Sequence, residues 1–206
     1  MSLIDAEQTH RIEAAIARLE ERSAAEFVLA VVPKSAGYSG VRAVVAGMWA
    51  LASAIAFVEL LPGAHPVWGV LLEVPVALLA WGLTGWAPVF RRLIPRELAD
   101  RAVAARAFQL FAQRGVHHTR DETGMLLVLS ELEHKVVLLG DRGIDQRLGS
   151  AGWQKHVDHI IQRIHEGRAA DGVLEVIQEL EALLAEHVPV RPNDVNELPN
   201  TVIRSV

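Results

Sequence analysis

The sequence has no cysteine, which excludes disulfides and thiolate metal sites and leaves the redox compartment unspecified. It also lacks a strong excess of either charge. A formal net charge of −5 over 206 residues gives no reason to expect a nucleic-acid partner. No glycine-rich phosphate loop and no Gly-x-Ser-x-Gly elbow occurs, and neither Ser130 nor Ser150 has the neighbours of an activated nucleophile. The stretch from Met1 to Glu21 carries a charged helical pattern with no apolar core behind a basic start, so it is not read as a secretory signal. Internal repeats and low-complexity segments are absent too.

What the chain does have is apolar sequence concentrated in one place. The hydrophobic fraction is 51% and the mean hydropathy +0.24, but the excess lies between Val41 and Phe90. Residues 43–61 contain no Lys or Arg and one acid, Glu59; residues 67–90 contain one acid, Glu73, and the prolines Pro75 and Pro88. A helix needs about 20 apolar residues to cross a bilayer's hydrocarbon, and both runs meet that length. Pro62-Gly63-Ala64-His65-Pro66 allows a tight hairpin between them, with Trp49, Trp68 and Trp86 available as interfacial anchors. Two such helices are too much for a chain of this size to bury in a soluble core. The expectation is an integral protein of the cell (inner) membrane.

Basic residues orient the hairpin. The connecting loop has none, whereas Lys34 and Arg42 precede the spans and Arg91, Arg92, Arg96, Arg101 and Arg106 follow them. The positive-inside rule then places both flanks and both termini in the cytoplasm. Glu73 is an intramembrane carboxylate with no basic residue in either span. It is expected to be protonated, to lie shallowly, to pair across the hairpin or between protomers, or to mark a proton or ion path. Pro75 is expected to kink the second span.

The flanks read as a small α/β domain. Ile12, Ile16 and Leu19 give an amphipathic helix over residues 5–22, with Asp5 as its cap and Glu7 in its first turn. Phe27 to Val32 is a short apolar run ended by Pro33, a buried strand. Beyond the spans, Pro95 opens a helix to about Arg114 that presents Val103, Ala107 and Leu110, and Gly115 stops it. Met125–Ser130 and Lys135–Gly140 form a hairpin of two buried strands. Helices are expected over Trp153–Glu166 and Asp171–His187, the latter with a stripe of Val173, Ile177, Leu180 and Leu184. The tail from Pro189 is expected to be extended on the surface. Residues 1–40 and 95–190 thus form a split domain, 41–92 a transmembrane hairpin, and 191–206 a tail.

In this order of elements the stretch AARAFQLFAQRGVHHTRDETGMLLVLSELEHKVVLLGDRGID resembles the TPM domain family. The opening helix with its strand ending in Val-Pro is similar to that family, as is the helical section from Trp153 through Ile160, Gly167, Gly172 and Ile177. Thr119-Arg120 and the segment from Asn193 to Pro199 are further stretches of resemblance. The resemblance implies an α/β/α sandwich around a mixed sheet of about four strands. It also implies, by member, phosphatase activity, repair of photosystems, assembly or modulation of membrane complexes, or binding of divalent cations. Many members are exported and carry an anchor outside the domain; here the spans interrupt it.

Carried over by motif, the family's acidic loops match Glu122-Thr123-Gly124 and Asp141-Arg142-Gly143-Ile144-Asp145. Glu122, Asp141 and Asp145 are the candidate metal residues, and clustered carboxylates suit Ca²⁺ or Mg²⁺. Arg142 and Arg120 are candidates for phosphate, although Arg142 can equally neutralise Asp141 in a salt-bridged turn. His156 and His159, three apart, are a further pair able to share a metal, with His156 expected to face solvent. Functionally the chain is expected to be a membrane protein whose cytoplasmic TPM-like domain is an accessory, regulatory or assembly module for membrane components. Its partners would be the bilayer, another membrane protein and a possible second copy. A divalent-metal-dependent phosphatase is the alternative, and a small ion- or proton-conducting oligomer using Glu73 is a third reading.

Overall fold

A computed structural model describes residues 3–149, 158–163, 166–190 and 196–204. The chain divides into two compact units, residues 1–35 with 100–206, and residues 36–99.

The larger unit is built on a four-stranded sheet. Helix α1 (Ala6–Arg22) begins at Asp5, whose side chain accepts from Gln8 N while Gln8 returns a bond to the Asp5 N–H, a complete capping box. Strand β1 (Glu26–Val32) is buried at every position, as a central strand covered on both faces must be. β2 (Gly124–Ser130) pairs with it in parallel, Glu26 opposite Gly124 and Val32 opposite Ser130. β3 (Lys135–Gly140) closes an antiparallel hairpin with β2.

Alternation divides the core between the two faces of the sheet. Phe27, Leu29 and Val31 pack with Ile12, Ile16 and Leu19 of α1 and with Val173, Ile177, Leu180 and Leu184 of the last long helix, Ala169–His187. Val28, Ala30 and Val32 pack with Ala107 and Leu110 of the helix Arg96–Gln113, which covers the other face. The result is the α/β/α sandwich that the sequence led us to expect.

Three details differ from expectation. β3 is only half-buried along most of its length, because it is an edge strand of the sheet. The tail is not merely extended: Ile203–Arg204 forms β4, pairing in parallel with Ala30 and Val31 on the other side of β1. The last long helix begins at Ala169, ahead of Asp171. Of the helix expected over Trp153–Glu166, residues 158–163 are helical; most of the remainder, with His156, lies outside the described residues, as do Ser150 and Asn193-Asp194-Val195.

The smaller unit contains α2 (Ser39–Leu60), α3 (Pro66–Leu83), α4 (Ala87–Leu93) and the start of α5 (Arg96–Gln113). Pro66 takes the first turn of α3, where no donor is lost, behind His65, whose Nδ1 accepts from Val67 N at 3.4 Å. α2 and α3 pack closely at Gly69, where a Cβ would stand 2.8 Å from the Phe57 ring. Pro75 is accommodated inside α3. The second apolar run, expected as one span over 67–90, is not continuous. α3 stops at Leu83, Thr84 Oγ1 donates to Trp81 O at 2.6 Å, and α4 restarts with Pro88 in its first turn. Pro88 offers no N–H and clashes with a preceding helical turn, so an unbroken helix through it is disfavoured.

Two of these helices, Ser39–Leu60 and Pro66–Leu83, are long and apolar enough to cross a membrane, with mean hydropathy 1.9 and 1.7. Only Ala46 in α2 and Gly69 and Ala80 in α3 are buried. Met48, Trp49, Leu51, Ile55, Val58, Trp68 and Leu79 are among the many large apolar side chains left exposed.

The chain leaves and re-enters the larger unit at one end of the sheet. Ser35 N donates to Glu133 Oε1 at 3.0 Å, and the Ser35 and Ser130 hydroxyls are 2.8 Å apart, beside a short Ser130–Glu133 bond. Asp100 is ion-paired to Lys135 at the start of β3. Both connections therefore meet the β2–β3 turn.

Candidate functional site

The candidate site lies at the opposite end of the sheet, where β1 and β2 begin and β3 ends. Thr119 organises the loop into β2: its Oγ1 accepts from Thr123 N at 3.0 Å and from Gly124 N at 3.1 Å. The Thr123 hydroxyl in turn donates to Ala24 O at 2.7 Å, and Glu26 N donates to Thr123 O at 3.2 Å, so the entries to β1 and β2 are stitched together. Glu122 carries this turn at φ 56°, a left-handed conformation that costs a non-glycine residue some strain. Gly124 and Gly143 are required here by close approach. A Cβ on Gly124 would lie 2.0 Å from Val116 O, and one on Gly143 2.4 Å from Asp121 O and 2.7 Å from Glu122 O.

Asp141 is the cap of the short helix α6 (Arg142–Leu148), its Oδ1 accepting from Arg142 N at 2.8 Å. Gly143 N donates to Glu122 O at 2.9 Å, and Asp141 N to Gly124 O at 2.8 Å, so both acidic loops share one backbone-bonded junction. Glu122 and Asp145 are exposed there, while Asp141 Oδ2 is buried and accepts no hydrogen bond among the described residues. Such an orphaned oxygen is uncommon in folded proteins. Among the described residues, however, no group of three or more acidic or histidine side chains is placed to hold a metal ion. Backbone bonds, not converging carboxylates, join these loops.

The expected arginines are placed differently from one another. Arg142 is exposed and makes no ion pair with Asp141, so the salt-bridged turn is not what holds this loop; the cap is. Arg120 is exposed, and its backbone N–H donates to Glu197 Oε2 at 2.9 Å. Arg147 lines a cleft of about 190 Å³ with Asp121, Thr123 and His187. His159 is engaged in ion pairing: it lies 2.7 Å from Glu175 and 3.5 Å from Glu179. Glu175 is also forked by Arg163, which holds its carboxyl below the usual range, with His159 adding to the effect.

A second pair of carboxylates, not singled out from the sequence, sits at the same end of the sheet. Glu20 and Glu26 line a cleft of about 330 Å³ with Asn196 and Asn200 of the tail. Glu26 accepts from Glu197 N at 3.0 Å and Leu198 N at 3.1 Å, which pins the tail to the start of β1. Glu20 accepts from Phe27 N at 3.0 Å and from Asn196 Nδ2 at 3.2 Å. Burial pushes its carboxyl up to about 8; the Phe27 N–H opposes that rise and the Glu26 charge adds to it. The one sequence signal was the acid at the head of a wholly apolar strand. Its partners are some 170 residues away in sequence and unreadable there.

Of the two stretches of resemblance that lie far apart in sequence, Arg120 and Glu197 are joined, the Arg120 N–H donating to Glu197. The class of protein is defined first by architecture: an α/β/α sandwich on a four-stranded mixed sheet in the order β3-β2-β1-β4. The sequence model of the TPM domain matches residues 91–183, and the chain carries a TPM domain. Helix α1, strand β1, the apolar hairpin and β4 lie outside the matched residues. Among solved structures, the NMR structure of BA42 protein from the psychrophilic bacterium Bizionia argentinensis is similar at 17% identity and TM-score 0.61, covering 98% of this chain and 95% of that one. That likeness is one of fold. No curated protein sequence matches the chain.

Proposed function

We propose that the chain is a membrane-anchored TPM-domain protein, held to the inner membrane by α2 and α3 and acting as an accessory or assembly module for other membrane components. The observation that carries this reading is the apolar surface of the hairpin. Two helices whose large side chains are mostly exposed would aggregate in water and are at home in hydrocarbon. Both connections meet the β2–β3 turn, which lets the hairpin be inserted without opening the sheet. The arginines flanking the spans support cytoplasmic termini. Resistance to sodium carbonate extraction tests the anchoring, and recovery in the carbonate-soluble fraction would overturn it. A non-catalytic role fits the acidic loops being joined by backbone bonds.

The buried Asp141 Oδ2 favours a second reading, a divalent-metal-dependent phosphatase in which Ca²⁺ or Mg²⁺ approaches that oxygen. Phosphate release from an aryl phosphate, with and without EDTA, decides between the two readings. Equal background rates for the wild type, Asp141→Asn and Asp145→Ala would end the enzymatic one.

A further inference from the structure

We infer that the arginine-rich end of the smaller unit binds the phosphate headgroup of anionic phospholipid, and that Arg42 is its central donor. This inference rests on the membrane reading of the hairpin and adds to it a lipid preference and named residues.

Arg42 occupies the first turn of α2, and its guanidinium carbon lies 4.8 Å above the ring of Phe90, which is buried in α4. Tyr38 closes the ring's edge at 6.1 Å, in an edge-to-face contact. The stacking fixes the plane of the guanidinium and leaves its edge for hydrogen bonding. Its Nε is buried yet donates to nothing among the described residues. A guanidinium held in place with an unused donor is suited to a phosphate oxygen, which accepts such charge-assisted bonds in a fork.

The surroundings have the matching charge. Phe90 is followed directly by Arg91 and Arg92, which sit in the last turn of α4, and Arg96 opens α5. Arg42 is thus brought by its contact with Phe90 close to Arg91 and Arg92, and between Phe90 and Arg96 the sequence holds no acid, Glu97 being the first that follows. The next acid on α2, Glu59, lies in that helix's last turn, about 25 Å away by helical rise. No side chain caps the first turn of α2, since Tyr38 precedes it at φ 50° without a capping bond. The occupant favoured is a lipid headgroup rather than a soluble phosphate, because the cluster sits where the apolar surfaces of α2 and α3 stop. That is the depth at which a bilayer presents its phosphates. Each arginine near an anionic membrane surface is worth about fivefold in affinity.

The test uses the full-length protein reconstituted into mixed phosphatidylcholine and phosphatidylglycerol bilayers, re-extracted in mild detergent, with the retained lipids quantified by mass spectrometry. Wild type is expected to retain phosphatidylglycerol well above its bilayer fraction. Arg92→Gln, an exposed change that leaves packing intact, is expected to cut that enrichment about fivefold, and adding Arg42→Gln to reduce it further to the bilayer ratio. Retention of both lipids in the bilayer ratio by wild type, or undiminished enrichment in the double variant, would overturn the proposal. Displacement of phosphatidylglycerol by millimolar glycerol phosphate would also overturn it, by assigning the site to a soluble phosphate. Carbonate extraction in parallel separates the two levels: release of wild type refutes the membrane reading and this inference with it, whereas a resistant protein without lipid preference refutes this inference alone.

Discussion

Glu20 is a carboxyl that the fold forces to keep its proton. Its ordinary value of 4.5 is raised to about 8 in the folded chain, so the folded state binds a proton that the unfolded state has lost. The sign follows from linkage: the contribution of Glu20 to stability is fully present below about 4.5, falls as pH rises towards about 8, and is absent above that window. Thermal unfolding across that pH range is expected to show this slope, and Glu20→Gln to flatten it, leaving the variant the more stable form at alkaline pH. An unchanged slope in the variant would assign it to another group. Gly143 makes a second residue-scale prediction. A methyl group there would lie 2.4 Å from Asp121 O, both partners being backbone. Gly143→Ala should therefore destabilise the domain by about 2 kcal/mol, measured by chemical denaturation, and loosen the Asp121–Gly124 turn. The glycine was visible in the sequence as part of a motif. Its reason, the carbonyls of a turn some 20 residues earlier, was not.

At the scale of elements, the tail is the main surprise. Proline-rich and polar, it reads as surface chain. Its docking depends on groups scattered through the rest of the fold: Glu26 takes Glu197 and Leu198 N–H, Glu13 takes Val202 N–H, and Arg204 donates to Ile4 O and Thr9 Oγ1. Deleting residues 196–206 would strip Glu26, buried in the intact fold, of two charge-assisted bonds and bare one edge of β1. The expected loss is about 3 kcal/mol by urea titration, and Glu26→Gln should recover part of it in the shortened chain. No recovery would mean that the lost β4 pairing, rather than the stranded carboxylate, dominates. The helices and the β2–β3 hairpin were legible because their apolar spacing is local. A two-residue strand has no period to read.

The whole molecule is a sandwich interrupted after its first strand. β1 and β2 are parallel neighbours, and parallel neighbours need a long crossover; here residues 36–99 form part of it. Because Ser35 and Asp100 both bond to the β2–β3 turn, replacing residues 36–99 with a short Gly/Ser linker should leave a water-soluble domain with the same far-UV circular dichroism and cooperative unfolding. Loss of cooperativity would show that the insertion contributes to the fold itself. In the intact chain, a reporter at Gly63 is expected outside the cell with both termini inside; a cytoplasmic Gly63 would sink that topology.

Sequence by itself determined the type of most elements, β4 and the break between α3 and α4 apart, together with the TPM resemblance and the location of the apolar hairpin. Each of these is written in short-range periodicity, in capping residues such as Asp5, and in unbroken runs whose length is compared with a bilayer. The break at Thr84–Trp86 was within reach of the same reading, since Pro88 announced it. Only the tertiary structure decided what the polar residues do. It turned Asp141 into a helix cap with one oxygen buried and unpartnered among the described residues, left Arg142 in solvent, and gave Glu20 and Glu26 to the tail. It also stacked Arg42 on Phe90. The physical reason is that a buried polar group takes its role from whichever partners the fold brings within hydrogen-bond distance, and those partners lie tens to hundreds of residues away in the chain.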